Sequence, residues 1–284
     1  MCRQGMVSLN ESEDITNFVE IASSYYGSTQ KDGFGYAYSS LKDNRIVLKK
    51  TSLNAGSYWL LHPDKIDTSS VVFHTRIATN GSVSDSNSHP FYSKGITLTH
   101  NGVLSSYTKA KERLIKEGAR FTSNTDSEVL LHAYIRHGDD FIKALKEDEV
   151  TGYAAIQILE YPDIIKVYKT ALSDYGLLIS DNFIIGMSDS KIIPVESIES
   201  EKLYTIKYGR IIEKKDIGGL DRYMFYGKSK SYKTGNNYTC GSVIDTGTSY
   251  DYENDWESYM RLKAKDREWE GYNKETMMDY REWD

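Results

Sequence analysis

The feature that most constrains the fold is a series of short strand-like segments that begins at Tyr153. Each is rich in β-branched and aliphatic residues, and turns at 161–163 and 180–182 separate them. Close spacing of this kind favours antiparallel pairing, so the sequence predicts a meander. The predicted strands are 154–159, 164–170, 176–179, 182–187 and 202–207.

The first half of the chain mixes helices with further strands. Apolar residues at helical spacing predict helices over 12–26 and 105–118, the second ended by Gly118, and a third starts near Asn124 or Thr125 as its cap. We expect Ser12 and Asp14 to cap the first helix. Helices between strand-rich ends predict stacked sheets and helices, an α+β architecture. Strands are predicted at 2–9, 34–38, 46–49, 70–75 and 95–100.

The start of the chain carries the residue with the most distinctive chemistry. Cys2 is small enough for Met1 to be trimmed, which would place a thiol and a free α-amine on one residue. A thiol with an ordinary pKa of about 8.5 needs a base to become a nucleophile, and an α-amine that titrates at about 7.7–8.0 can serve. Taken alone, a cysteine at this position favours the ordinary interpretation, a chance residue at a frayed chain terminus.

Three other polar segments follow strands or begin a helix. They are 74–76 with Thr79 and Gly81, 100–102, and 125–128. Each has an ordinary structural explanation by itself. Asn101-Gly102 is the pair most typical of a two-residue hairpin turn, and Asp126 suits the first turn of a helix, where the dipole favours an acid.

Together with Cys2 and the 87–90 segment, these motifs resemble the class II glutamine amidotransferase domain in order and spacing. Members of that family are amino-terminal-nucleophile hydrolases that release ammonia from glutamine. The resemblance is to the glutaminase domains of glucosamine-6-phosphate synthase and amidophosphoribosyltransferase, and it runs from Cys2 to about Ile212. It implies a four-layer αββα sandwich followed here by a C-terminal extension, with no cofactor and no metal.

The resemblance also implies a role for each motif. Cys2 would be the nucleophile, and the Asn101 side chain and the Gly102 N–H would stabilise the oxyanion. Arg76 would hold the α-carboxylate of glutamine with two parallel hydrogen bonds, and Asp126 would hold its ammonium group. Three residues would line or support the pocket, and the imidazoles of 74, 89 and 100 are expected to be structural hydrogen-bonding groups. These pocket residues are Thr79, Asn87 and His100.

The sequence departs from the family pattern near the pocket and after it. Ile77 replaces a common Trp, and Asn80 replaces a frequent His, so we expect closure over glutamine to differ. No acceptor domain follows the glutaminase domain, which we assign to 1–215. A flexible linker is predicted over 216–250, and 251–284 is an acidic, aromatic tail that is either a docking helix or a loose segment.

Charge and composition exclude other classes of protein. The net charge of -6 argues against a general nucleic-acid binder. No apolar run is long enough to span a membrane, and no leader precedes Cys2, so we expect a cytoplasmic protein without a membrane partner. Cys2 and Cys240 lie too far apart in sequence to suggest a disulfide framework or a metal-binding pair.

The sequence therefore predicts a glutaminase that forms a γ-glutamyl thioester on Cys2. Glutamine would be its substrate, and ammonia would pass to a separate synthase or acceptor subunit. Two alternatives remain at this point. One is a stand-alone amidohydrolase that cleaves a γ-glutamyl or related amide, and the other is a non-catalytic binding module in which Met1 is retained.

Overall fold

The computed structural model of the protein describes residues 2–62, 64–78 and 81–220. Thr79, most of the predicted linker and the whole predicted acidic tail lie outside the described residues. No helix of the described part is long and apolar enough to cross a membrane.

Two antiparallel sheets form the centre of the domain. The first has seven strands in the order β11-β9-β10-β1-β4-β2-β3, and the second has six in the order β13-β12-β8-β7-β6-β5. The first sheet contains β1 (Arg3–Asp14), β2 (Phe34–Ser40), β3 (Arg45–Thr51), β4 (Asp67–Thr75), β9 (Gly176–Ile179), β10 (Phe183–Met187) and β11 (Glu196–Ser197). The second contains β5 (Phe91–Ser93), β6 (Ile96–Ser105), β7 (Thr151–Glu160), β8 (Ile164–Lys169), β12 (Lys202–Lys207) and β13 (Arg210–Asp216).

Helices cover the outer face of each sheet. They are α1 (Thr16–Gly27), α2 (Ala55–Leu61), α3 (Thr108–Lys116), α4 (Ser127–His137) and α5 (Phe141–Glu147). One apolar cluster packs α1 and α2 on the first sheet, another packs α3, α4 and α5 on the second, and a third lies between the sheets. These three layers of apolar contact make the four-layer αββα sandwich that was expected.

Strand β4 illustrates how the pattern of side chains produces the layers. Successive side chains of a strand point to opposite faces, so Val72 faces the layer between the sheets while Val71 and Phe73 face the helices. A strand that is buried on both faces reads as a continuous apolar run, which is what the sequence shows at this position.

The predicted meander after Tyr153 is wrong in its pairing, although the strands themselves are confirmed. β7 and β8 form a hairpin in the second sheet, β9 and β10 form one in the first sheet, and β12 returns to pair with β8. Successive hairpins of this region therefore alternate between the two sheets. Only burial against distant parts of the chain decides that partition.

The first helix begins later than its periodicity predicts. Residues up to Asp14 remain in β1, because Glu13 and Asp14 pair with the start of β4. The Asp14 carboxylate then accepts hydrogen bonds from the backbone N–H and the hydroxyl of Thr16. Asp14 thus serves the helix start as predicted, whereas Ser12 donates to Asp67 instead. The short helices α2 and α5 were not predicted.

Candidate active site

Cys2 immediately precedes β1, the central strand of the first sheet. Arg3 pairs with Thr75 at the end of β4, so the residues that follow β4 lie beside Cys2. The Cys2 Sγ atom is 3.3 Å from both the backbone nitrogen and the carbonyl oxygen of Ile77. Burial raises the pKa of the Cys2 thiol, while the Ile77 N–H and the charge of Arg76 act in the opposite direction.

Arg76 is almost fully buried, at 3% exposure, and its backbone is fixed by a neighbouring loop. Its N–H donates to Gly33 and its carbonyl accepts from Asp32. The guanidinium donates to the Ser82 carbonyl at 3.1 Å. Burial lowers the pKa of this guanidinium, and the charges of Cys2, Asp32 and Asp126 oppose that effect. Arg76 is therefore within electrostatic reach of both ends of the predicted pocket.

The Asn101-Gly102 pair lies within β6 and does not form the hairpin turn that the pair alone would favour. Asn101 lies opposite Ala155, and Gly102 lies opposite Ala154, in continuous antiparallel pairing with β7. Asn101 is 5% exposed, and its amide oxygen has no hydrogen-bond partner among the described residues. Strand β6 of the second sheet thus holds the buried amide group of Asn101.

Gly102 has no space for a side chain. A Cβ there would lie 2.1 Å from the Tyr153 carbonyl oxygen and 2.6 Å from His100 Nε2. Contacts this short do not occur between real atoms, so only glycine lets β6 and β7 approach this closely. The close approach also fixes where the Gly102 N–H points.

Asp126 immediately precedes α4, and its carboxylate joins that helix to β6. One carboxylate oxygen accepts a hydrogen bond of 2.7 Å from the Leu104 N–H, and the other lies 3.5 Å from the Ser127 hydroxyl. The Asp126 side chain makes no capping hydrogen bond to a backbone N–H of its own helix. The prediction that Asn124 or Thr125 caps this helix is wrong. The helix begins after Asp126. Glu128, its second residue, accepts hydrogen bonds from the backbone N–H groups of Thr122 and Ser123, which holds the preceding segment against the first turn.

Asn87 connects two of the predicted segments. Its side-chain nitrogen donates to the Ser82 carbonyl at 3.0 Å, and its oxygen accepts from the Asn124 N–H at 3.1 Å. The same Ser82 carbonyl also accepts from Arg76. Asn87 therefore ties the loop that contacts Arg76 to the segment that contains Asp126. Thr79, predicted for the same pocket, lies outside the described residues.

Three buried imidazoles lie behind the site. The His74 and His89 rings are 4.1 Å apart between centroids, and His100 Nδ1 is 2.9 Å from the Ser127 hydroxyl. Burial lowers the pKa of His100 and His89, and it lowers the pKa of His74 to about 3. All three rings are therefore neutral near pH 7.

Sequence reasoning missed two polar residues beside these groups, the half-buried Asp32 and the fully buried Gln4. Asp32 accepts a hydrogen bond from the Ala78 N–H, and Gln4 bonds to both β6 and β7. Neither has a local sequence signal, because Asp32 reads as part of a turn and Gln4 as one polar residue in a strand. Among the described residues, no cluster of His, Cys, Asp and Glu side chains is arranged to hold a metal.

Comparison with known proteins relates a central segment of the chain to a family. A family model described as a glutamine amidotransferase domain matches residues 64–157. The glutamine–fructose-6-phosphate aminotransferase [isomerizing] of Xylella fastidiosa (strain Temecula1) is 41% identical over 91 residues, which cover 30% of this chain and 15% of that protein. The enzyme of the same name from Caldanaerobacter subterraneus is 37% identical over 134 residues, which cover 44% of this chain and 22% of that protein.

Solved structures share the fold at low identity. A glutamine phosphoribosylpyrophosphate amidotransferase from B. subtilis has a TM-score of 0.60 at 19% identity, covering 77% of this chain and 49% of that one. A glutamine aminotransferase class-II domain protein from Silicibacter pomeroyi has a TM-score of 0.53 at 15% identity, and the match covers 76% of this chain and 100% of that one.

The segment 64–157, which contains Arg76, Asn101 and Asp126, thus matches a glutamine amidotransferase domain, and the two-sheet fold is similar to the folds of the solved amidotransferase structures. The matching segment is similar to part of the glutamine–fructose-6-phosphate aminotransferases. The chain spans only 15–22% of the length of these two relatives.

Proposed function

We propose that this chain hydrolyses the side-chain amide of glutamine, using Cys2 as nucleophile after removal of Met1. The Cys2 sulfur attacks the amide carbon, the C–N bond breaks, and ammonia leaves after the nitrogen accepts a proton. Water then cleaves the γ-glutamyl thioester, which yields glutamate and restores the thiol. The observation that carries the proposal is that Arg76 interacts electrostatically with both Cys2 and Asp126, while Asp126 accepts a hydrogen bond from Leu104, two residues after Gly102.

The α-amine of Cys2 is the base in this scheme. Burial raises the pKa of the Cys2 thiol, so the thiolate does not form readily without a proton acceptor close by. An α-amine that titrates at about 7.7–8.0 is partly unprotonated at neutral pH and can accept the proton directly or through one water molecule. The neutral imidazoles behind the site need not take part.

The oxyanion that forms on attack would be stabilised from β6. The Asn101 side chain would donate through its NH₂ group, and Gly102 would donate through its backbone N–H. Donors that are fixed before the reaction cost no reorganisation when charge develops, and loss of one typically lowers the rate about 100- to 1000-fold. The tight packing of Gly102 against Tyr153 supports this role, since it immobilises the donor.

Two charged groups would select glutamine. Arg76 can pair its planar guanidinium with the α-carboxylate, and Asp126 can pair with the α-ammonium group. The electrostatic interaction between Arg76 and Asp126 supports their placement at two sides of one pocket. Asn87 and His100 would hold this arrangement through the Ser82 carbonyl and the Ser127 hydroxyl.

The released ammonia would pass to a separate acceptor enzyme. The relatives that match this chain are named as aminotransferases and are several times longer than the matched segment. Ammonia released at a glutaminase site is lost to solvent as ammonium ion unless a synthase takes it up. A partner synthase is therefore the proposed consumer, and ammonia release that rises on addition of that partner is the expected behaviour.

The test of glutaminase chemistry is intact mass after incubation with 6-diazo-5-oxo-norleucine, a glutamine mimic that alkylates the nucleophile. We expect one adduct for each chain, on Cys2 of protein that lacks Met1. The Cys2→Ala variant should gain no adduct, and Cys240→Ala should label as the wild type does. Protein that lacks Met1 yet stays unmodified at saturating reagent would refute the proposal.

A further inference from the structure

The layer between the two sheets contains an unexpected line of polar side chains. Most of this layer is apolar, as its cluster of Met6, Val72 and Ile165 illustrates. Gln4, Thr99 and Gln157 are each 0% exposed within it, and Tyr175 is 3% exposed. Burial of polar groups is costly unless each finds a partner, so this line calls for an account.

The four side chains form one continuous set of hydrogen bonds that crosses from the first sheet to the second. Gln4 Nε2 donates to the Ala155 carbonyl at 3.0 Å, and the Thr99 hydroxyl donates to Gln4 Oε1 at 2.9 Å. Thr99 Oγ1 also lies 3.0 Å from the amide oxygen of Gln157, whose amide nitrogen lies 2.7 Å from the Tyr175 hydroxyl.

The number of protons available on each group determines the direction of these hydrogen bonds. The Thr99 hydroxyl has one proton and cannot donate to two amide oxygens at once. If the Gln157 amide is turned end for end, its NH₂ donates to Thr99 and its oxygen accepts from Tyr175. Donation then runs in one direction from Tyr175 through Gln157, Thr99 and Gln4, and each of the four side chains takes part in at least one hydrogen bond.

The position of Gln4 gives this network its significance for the site. Gln4 is two residues after Cys2, and its backbone is also held, because its N–H donates to the Ser188 hydroxyl and its carbonyl accepts from the Ser188 N–H. Its side chain reaches Ala155, which lies opposite Asn101 in the pairing of β6 with β7. One residue therefore connects the strand of the nucleophile with the strand of the oxyanion donor.

We infer that Gln4 and Thr99 form a clamp that sets the distance between Cys2 and Asn101, and that both are positioning residues for the proposed glutaminase reaction. The inference rests on that proposed function. Neither residue touches glutamine, so the clamp acts only through the placement of Cys2 and Asn101. A displacement of about 1 Å between reacting groups can lower a rate about 100-fold.

Steady-state glutaminase kinetics on isosteric variants test the clamp. Thr99→Val keeps the shape of the side chain and removes the hydroxyl, and Gln4→Leu removes the amide. We expect both to lower kcat about 10- to 100-fold with KM changed less than about threefold, because the groups that bind glutamine are untouched. Thr99→Ser, which retains the hydroxyl, should stay within about threefold of the wild-type kcat.

Thr97→Val is the matched control. Thr97 lies two residues before Thr99 on β6 and is also 0% exposed, and its hydroxyl has no partner among the described residues. We expect this variant to keep the wild-type kcat. Equal losses in Thr97→Val and Thr99→Val, or a wild-type kcat in Thr99→Val and Gln4→Leu, would overturn the inference. So would losses that disappear when rates are normalised to the fraction of chains that 6-diazo-5-oxo-norleucine labels.

A second measurement separates failure of the clamp from failure of the proposed function. The rate at which iodoacetamide alkylates Cys2, followed on the Cys2 peptide, needs no glutaminase activity. We expect Gln4→Leu and Thr99→Val to change this rate more than about threefold, with Thr97→Val unchanged. If the wild type does not hydrolyse glutamine but the alkylation rates differ as stated, the proposed function fails and the clamp stands. Unchanged alkylation rates would remove the clamp in either case.

Discussion

Substitution of Gly102 by Ala is the sharpest test of how β6 and β7 shape the site. The added methyl carbon would lie 2.1 Å from the Tyr153 carbonyl oxygen and 2.6 Å from His100 Nε2. Since unstrained contacts are about 3.5 Å, relief requires a movement of more than about 1 Å. Tyr153 belongs to the neighbouring backbone, and the His100 ring is buried and bonded to Ser127, so neither can move alone.

The movement would therefore displace β6 itself, and with it both proposed oxyanion donors. We expect kcat for glutamine to fall about 100-fold or more, and the free energy of unfolding to fall by about 1–3 kcal/mol. Steady-state kinetics and urea denaturation measure the two effects. KM should change less than kcat, because Arg76 lies on another segment and only Asp126 is hydrogen-bonded to β6, through the Leu104 N–H.

Gly56→Ala is the control for this substitution. The same methyl group would there meet only Asn54 Oδ1 at 3.5 Å, which is an ordinary contact. Gly56 lies in α2, where alanine is favoured by about 0.5–1 kcal/mol, so stability and activity should be retained. A Gly102→Ala protein with kcat within threefold of the wild type and unchanged unfolding would refute the packing argument.

Three further predictions concern charge. Arg76→Lys should raise KM for glutamine about 10- to 100-fold with a smaller change in kcat, because one of two carboxylate contacts is lost; an unchanged KM in steady-state assays would contradict this. Burial lowers the pKa of His74 to about 3 and also lowers that of His89 and His100, so below about pH 6.5 only the unfolded chain takes up protons. The free energy of unfolding is then highest above that pH and decreases by about 1.4 kcal/mol for each pH unit below it and for each histidine. Urea unfolding midpoints that stay constant from pH 7 to 5 would disprove this prediction. Burial raises the pKa of Glu128, but hydrogen bonding outweighs it and lowers the pKa to about 2. The carboxylate therefore stabilises the fold above about pH 4.5, and this stabilisation is lost as the pH falls towards 2. Glu128→Gln should lose about 2 kcal/mol of stability at pH 7 in thermal unfolding and should lack this acid dependence.

Local patterns in the sequence were sufficient for most of the secondary structure. The strands after Tyr153 and the helix ended by Gly118 are confirmed, because periodicity and turn residues act over a few neighbours. The two seven-residue helices were missed since such short segments carry little periodic signal and owe their stability to packing.

For the site, the sequence supplied the residue types and the resemblance supplied their roles. It could not tell whether Asn101-Gly102 makes a turn or continues a strand, because that choice depends on pairing with β7, about fifty residues further along the chain. Nor could it reveal that Gln4 bonds to Thr99 and Ala155, which are remote in sequence.

The amino-acid sequence by itself determined the α+β class through short-range periodicity, and its resemblance to a known family supplied the candidate nucleophile and the candidate binding groups. Only the tertiary structure decided which sheet each strand joins, that Cys2 lies beside Ile77, and that a polar clamp crosses an apolar layer. The physical reason is that burial and strand pairing are long-range: their free energy depends on which distant segments meet, and that information is absent from any local stretch of the chain.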